Sequence, residues 1–424
     1  MAVKCVYHAR VPALLERLLP FKTPEAKRLA LLFAVVYFAQ GMWSLPTQAT
    51  IIVFKEKLGL SAGQVATFFS ISTLPWLIKP VYGLLSDFVP ILGSRRKSYL
   101  LITSALASAA GLALAIIGGH DYWILAAFFT AMGFGLAFTD VMTDALMVEH
   151  GRPLGLTGAF QSVQWAAIYL ASMAVGLVGG RLAETRNLRA AFAIASIFPL
   201  ITFVMALAFV RERPQVAGAA TFEETRAAIK NALGQRDVWV VAGFIFFYTF
   251  SPSFGPALLY YQTDVLKFSQ TFIGTLTALG SMAAVVGAFI YAPLSRRVAL
   301  KWLVVTAIGI AVVGTLAYLF YRDWKSALVI DIVFGCIGMI TQLAFLDLAA
   351  KACPKRVEGT FFALLMSVYN GGVQGSQVVG GYLYDWVGYV PLILISAVLT
   401  ALAWVLVPLV RIDAIEAKAR AEAA

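Results

Sequence analysis

Residues 76–99 read WLIKPVYGLLSDFVPILGSRRKSY, and this stretch decides what kind of chain it is. It begins in an apolar segment carrying a lone Lys79 followed by Pro80, leaves that segment around Gly83 and Asp87, and reaches the basic cluster Arg95, Arg96 and Lys97 before the next apolar run. A short, basic, glycine-containing turn between two long apolar helices is the pattern of the cytoplasmic side of a membrane protein. Asp87 has a further use there. A carboxylate at a helix end bonds neighbouring guanidinium groups, so Asp87 with Arg95 and Arg96 is expected to form a conformational latch, made and broken as the protein rocks.

The rest of the composition agrees. Of 424 residues, 60% are hydrophobic, and the mean hydropathy is +0.82, whereas a soluble domain is apolar over about 45 to 50% of its residues. A membrane helix needs roughly 20 apolar residues, so the length is taken up by helices and short connections, with no separate soluble domain expected. The net charge of +11 invites a nucleic-acid reading. The positions of the charges exclude it: counted from a cytoplasmic N-terminus, about 24 Lys and Arg fall on cytoplasmic segments and about 8 on outer ones. Cys5, Cys336 and Cys353 are scattered, with no metal-ligand spacing and no disulfide framework. No metal and no cofactor is expected.

Residues 1–27 lack a signal-peptide core and cleavage site, so the first membrane helix is expected to be retained, with a cytoplasmic N-terminal segment before it. Leu14, Leu15, Leu18 and Leu19 among Arg10, Arg17 and Lys22 suit either a short surface helix or a solvated tail. Twelve apolar segments follow, near 28–54, 64–85, 98–118, 122–147, 156–181, 188–210, 238–262, 269–294, 302–321, 326–350, 359–384 and 390–410. They divide into bundles at 28–210 and 238–410, joined by a polar cytoplasmic linker at 211–237 in which Phe222, Ile229 and Leu233 stand at helical spacing. A charged tail at 411–424 ends the chain, and an even number of crossings puts both termini in the cytoplasm. The halves echo each other: TGAFQSV with GLVGGRLAE in segment five is answered by GTFFALL with QVVGGYLYD in segment eleven. An all-α membrane protein of two repeated six-helix halves is the layout of a major facilitator superfamily transporter, its binding site at the half-to-half interface near mid-membrane.

Polarity is unevenly shared. Segments three, six, nine and twelve carry little beyond small residues, Ser and Thr, so lipid can cover them; the first, fourth, fifth, seventh, tenth and eleventh carry the amides, acids and ring hydroxyls. Tyr37, Gln40, Gly41, Ser44 and Gln48 form one stripe on segment one. Segment five gives Gln161, Gln164, Trp165, Tyr169 and Ser172, and segment eleven gives Asn370, Gln374 and Gln377. Each amide buried without a partner costs several kcal/mol, so the stripes face neighbouring helices or a watery cavity. Packing between helices explains any single Gln equally well; three stripes on inner helices favour a substrate cavity.

Segment four holds Asp140 and Asp144 one turn apart, with Glu149 at its cytoplasmic end. Intramembrane carboxylates are expensive and therefore functional candidates, and a close pair can hold and release a proton. Asp140, Asp144, Glu149 and Lys79 are the candidates for proton coupling. A permanent Lys79–Asp ion pair, or a Lys79 that snorkels to the interface, is the competing reading. Asp347 sits at nearly the matching place in the second half, while Asp264, Asp331 and Asp385 lie near outer ends and are expected to be solvated. In segment seven, Pro252, Gly255 and Pro256 mark a hinge or gate. Tyr260, Tyr261 and Gln262 beyond them suit either a cap on the cavity or an interfacial aromatic belt.

With these residues in view, the chain resembles the folate/biopterin transporter family of the major facilitator superfamily. The resemblance is carried by W-x-x-K-P-x-Y-G-x-x-S-D-x-x-P-I-x-G-S-R-R-K-S-Y from Trp76 to Tyr99 and by T-D-V-M-T-D-A-L-M-V-E from Thr139 to Glu149. It implies import of folates or pterins across the cytoplasmic (inner) membrane, driven by the proton gradient, with Na⁺ the other candidate ion and a monomer expected. It assigns Lys79, Asp87, Arg95 and Arg96 to the family's signature turn, and Asp140 and Asp144 to its acidic fourth helix. A pterin ring offers edges that Gln161, Gln164 or Asn370 can read and a flat face for Trp165 or Tyr169. A folate's glutamate tail calls for a cation, and Lys79 is the one basic residue deep in a segment. Muropeptide and acyl-coenzyme A transporters of the superfamily are alternatives, as is a membrane assembly factor that binds cargo without turnover. Nothing has the layout of an enzyme: there is no phosphate-binding loop, metal cluster or nucleophile with a positioned base.

Overall fold

The computed structural model describes residues 21–118, 121–154, 156–212, 230, 234–353 and 358–423. They form twelve helical crossings. Ten are long and apolar enough on composition alone to span a bilayer. The other two are the seventh, interrupted between Arg236–Thr249 and Gly255–Asp264, and the eleventh, Glu358–Val387, which carries Asn370, Gln374 and Gln377 along its middle. The even-numbered connections and both described ends of the chain share one face of the molecule, called here the terminal face; the odd-numbered connections form the far face.

Prolines set where crossings break. The first, expected as one helix, runs as Pro24–Gly41, a tight turn at Met42–Ser44, and Thr47–Lys57 beyond Pro46. The second runs as Ala62–Thr73, a tight turn Leu74–Ile78 containing Pro75, and Lys79–Phe88 with Pro80 in its first turn. Proline has no amide hydrogen to donate and a fixed φ, so it suits these starts, whereas Pro199 and Pro408 lie within the sixth and twelfth crossings without ending them. In the seventh crossing Pro252 lies in the gap, and Gly255, at φ +36°, restarts the helix. Side-chain caps fix other starts: Thr23 Oγ1 accepts from Ala26 N at 3.1 Å, Ser61 and Gln64 form a reciprocal capping box, and Ser269 accepts from Phe272 N.

Within the first half the third crossing, Lys97–Ile117, packs on the fourth, Tyr122–Leu154, and the sixth, Leu188–Phe209; in the second half the eighth, Gln270–Arg297, packs on the tenth, Trp324–Ala352. The ninth, Leu300–Ala317, and twelfth, Tyr389–Val410, pack on each other. The four crossings expected to meet lipid turn Ile102, Leu112, Leu200, Val204, Trp302, Val313, Val398 and Val405 outward. The halves meet chiefly through the second crossing with the eleventh and the fifth, Thr157–Ala174 continued to Glu184, with the eighth, and the outer part of the seventh also packs on the second. Crossings two and eight were not among the inner helices expected from polarity, because small residues rather than amides put them there. Gly176 and Gly180 of the fifth crossing lie against Gly274 of the eighth, and Gly381 of the eleventh lies against Gly63 of the second. The second glycine of each GG pair that echoes between the halves, Gly180 and Gly381, makes these contacts.

The charged tail is more than a tail. Residues Ile412–Ala423 form a helix whose Ile412 and Ile415 are buried on the ninth and tenth crossings. Glu416 accepts from Leu300 N at 3.0 Å and Lys301 pairs with Asp413 at 2.8 Å, so this helix caps the start of the ninth crossing. The surface helix considered for the N-terminal segment and the linker positions Phe222, Ile229 and Leu233 fall outside the described residues.

Candidate functional site

Between the halves lies a cavity of about 280 Å³. The first crossing contributes Gln40 and Ser44, the fifth Ser172, and the eleventh Asn370 and Gln374; the breaks of crossings one and two add Trp43, Thr73 and Trp76. Non-helical backbone at membrane depth is tolerated where it lines such a space, so the prolines and the cavity belong together. The two indoles meet at 5.4 Å between ring centroids, and Trp43 is stacked on Phe129 at 4.0 Å, which holds the aromatic wall in one orientation.

The acids lie one turn further toward the terminal face. Lys79 Nζ meets Asp140 Oδ2 at 2.5 Å, and Asp140 is almost completely buried. Asp144 accepts from the Tyr37 hydroxyl and, at 3.2 Å, from Gln164 Nε2. Thr139 and Thr103 join side chains at 2.9 Å, tying the acidic helix to the third crossing. Tyr37 precedes the cavity residue Gln40 by three positions and Lys79 follows the cavity residue Trp76 by three, so two helices run directly from the cavity to the acids.

At the terminal face, the turn between the second and third crossings is folded on itself. Arg96 Nη2 bonds Asp87 at 2.5 Å and Glu149 at 2.7 Å, and Nη1 donates to Ser86. Burial opposes the charge on this guanidinium, but the Glu149 and Asp87 carboxylates outweigh it and hold Arg96 firmly protonated. Glu149 thus bonds Arg96 beside Asp87, and not the Lys79–Asp140 or Tyr37–Asp144 groups with which its place on the helix suggested it would act. Arg95 makes no hydrogen bond or ion pair among the described residues. Glu212 accepts from Arg96 N at 3.1 Å and Lys97 N at 2.8 Å, as Glu416 does at the corresponding start in the second half.

The far face is closed by bonds between the halves. Asp385 accepts from Ala62 N at 3.1 Å and Gly63 N at 2.9 Å, capping the second crossing from the eleventh. Lys55 pairs with Asp264 and lies 4.8 Å over the Tyr260 ring, and Tyr260 donates to Leu60 O at 2.5 Å. Gln48 donates to Gln270 O at 2.9 Å and Gln270 Oε1 at 3.0 Å, and Glu184 accepts from Thr271 N at 3.1 Å. Asp264 and Asp385 are exposed as expected yet engaged; Asp331 is not solvated but half-buried, accepting from Tyr321 at 2.9 Å and Tyr318 at 3.4 Å. Tyrosines brought in from the end of the ninth crossing supply those donors, which its own segment does not show.

The match of the BT1 family model to residues 40–420 spans nearly the whole of this arrangement. The chain belongs to the BT1 family. It is 32% identical to the folate-biopterin transporter of Synechocystis, over 88% of this chain and 78% of that protein, and 27% identical to folate transporter 2 of Plasmodium falciparum, over 80% and 76%. Among solved structures, a D-xylose-proton symporter superposes with a TM-score of 0.67 at 15% identity over 91% of this chain and 99% of its own, and a nucleoside transporter with 0.67 at 14% over 91% and 99%. At those identities the likeness shows the fold, which is the major facilitator fold. The protein is a multi-pass membrane transporter, not an enzyme.

In this BT1 chain the three polar stripes do not all reach the cavity. Gln40, Gly41 and Ser44 of the first, Ser172 of the fifth, and Asn370 and Gln374 of the eleventh do. Gln48 serves the far-face closure, and Gln164 and Tyr37 hold Asp144. Gln377 lies against Gly255, at the break in the seventh crossing, and Gln161 is exposed. Tyr169 reaches across the halves to Met339 Sδ at 3.5 Å, with Trp165 stacked beside it at 6.2 Å. Trp43, Trp76 and Thr73 were missed as cavity residues. Their signal was Pro46 and Pro75, which break the helices beside them.

Proposed function

We propose that this transporter carries a pterin or folate across the cytoplasmic membrane by alternating access, coupled to protons. The named relatives are folate and folate-biopterin transporters, and the cavity offers what a pteridine needs: amides for its donor and acceptor edges and indoles for its flat face. The terminal face is the cytoplasmic one, because it carries most of the Lys and Arg. The two six-helix halves rock about the cavity, the Arg96 cluster holds the second, third and fourth crossings of the first half together as a unit, and the break around Pro252, Gly255 and Pro256 is the hinge.

The observation that carries coupling is the bond of Tyr37 to Asp144 one turn from Gln40. A proton gained or lost at Asp144 changes whether it accepts from Tyr37 and Gln164, and hence the set of the helix that presents Gln40 to the solute. Asp140, held by Lys79, is the fixed partner; Asp144 is the exchanging one. The test is uptake of labelled biopterin and folic acid into proteoliposomes with and without an inward proton gradient. Asp144→Asn is expected to lose gradient-driven accumulation while keeping exchange of solute across the bilayer. Accumulation unchanged in the variant would remove Asp144 from the coupling.

A further inference from the structure

Gln40, half-buried, stands apart from other glutamines that are wholly or partly enclosed. Gln48, Gln164, Gln262 and Gln270 each donate to a defined partner. Gln40 Oε1 is shut off from solvent and has no hydrogen-bond partner among the described residues. An unpaired buried amide oxygen is costly, and the torsion that turns a terminal amide is soft. Turned about that torsion toward the cavity that Gln40 lines, the oxygen offers an entering solute donor an acceptor that no protein group holds.

The charge of the cavity points the same way. Its lining residues are amides, hydroxyls, indoles and aliphatic groups, without a formal charge among them. Lys79, the cation nearest in sequence to that lining, is already committed to Asp140 at 2.5 Å. An ionised carboxylate enclosed between the halves without a cation bears a desolvation penalty that a neutral heterocycle does not.

Resting on the substrate reading above, we propose that Gln40 is the residue that reads the solute. Its Oε1 takes a hydrogen bond from a ring N–H or amino group of a pterin, and the neutral cavity selects unconjugated pterins over those bearing carboxylates, folates included. Trp43 and Trp76 supply the face against which the ring lies, and Asn370 and Gln374 approach its edge from the other half. Gln40 therefore sets affinity for the ring, while the absence of charge among the lining residues sets the preference against the glutamate tail.

The experiment is biopterin counterflow in proteoliposomes holding the full chain, with biopterin, pterin-6-carboxylate and folic acid as competitors, in the native protein, Gln40→Met and Gln40→Glu. Biopterin is expected to compete best, with the two carboxylated compounds weaker by roughly tenfold or more. Gln40→Met, close in volume, should raise the half-saturating biopterin concentration about tenfold with little change in maximal rate. Gln40→Glu, which keeps an acceptor, should recover part of that loss, and the thermal unfolding midpoints of both variants should stay near the native value. Equal competition by all three compounds, with native affinity in Gln40→Met, would overturn the selectivity while leaving the substrate reading intact. Absence of any counterflow by the folded native protein would overturn both.

Discussion

Lys79 is the residue whose neighbourhood is least able to do without it. Its ammonium and the Asp140 carboxylate are both largely buried and 2.5 Å apart. Removing one member leaves an uncompensated buried charge, a loss of roughly 3–5 kcal/mol unless Asp140 takes up a proton, whereas replacing both with apolar groups is often near neutral. Lys79→Met should therefore lower the thermal unfolding midpoint by several degrees, and Lys79→Met with Asp140→Leu should recover most of it. A double variant as unstable as the single one would show that the pair is not what Lys79 holds. The sequence made Lys79 and the two aspartates legible because charged residues inside apolar segments are rare. It left open which aspartate takes the lysine, since both are within reach along one helix face. The choice is made by Tyr37 and Gln164, which arrive from two other crossings and occupy Asp144.

At the scale of elements, twelve crossings were readable within a few residues, because each is a run long enough to span hydrocarbon. The breaks in crossings one and two were not expected, although Pro46 and Pro75 marked them; apolar residues on both sides kept the hydropathy high through each break. The close approach of crossings five and eight was hidden for another reason: glycine contacts carry no polarity. Gly274 shows the consequence. A Cβ there would run into the Gly176 carbonyl and come within 2.8 Å of Gly180 Cα, backbone atoms that have no rotamer by which to yield. Gly274→Val should hold crossings five and eight apart and leave the far face open. Uptake should then be lost while the chain still folds. Labelling of Ser172→Cys from the far side by a membrane-impermeant maleimide should rise several-fold over the same cysteine in the native background. Unchanged labelling with native uptake would mean that the two helices do not need this approach.

For the whole molecule, the bonds across the far face are drawn from several places in the chain. Lys55 with Asp264, Asp385 with the start of the second crossing, Gln48 with Gln270 and Glu184 with Thr271 all join one half to the other. The Arg96 cluster at the terminal face joins elements of the first half alone, and the Lys301 and Glu416 bonds elements of the second. The structure is thus closed on its far side. The exposed ion pair Lys55–Asp264 contributes little, on the order of 1 kcal/mol or less, and the hydrogen bonds are each worth about 1 kcal/mol, so the closure is one that a bound solute can shift through a modest difference in affinity between the two orientations. Lys55 and Asp264 are the place to hold it shut, since they span the interface at the aqueous edge and touch neither the cavity nor the acids. With both replaced by cysteine and bridged by a short reducible thiol reagent, the protein should bind biopterin from the terminal side yet accumulate none in proteoliposomes, and reduction should restore uptake to that of the unbridged variant. Each single cysteine treated alike should keep its rate. Undiminished uptake by the bridged protein would mean that the solute passes without the two halves parting on this face, and rocking about the central cavity would have to be given up.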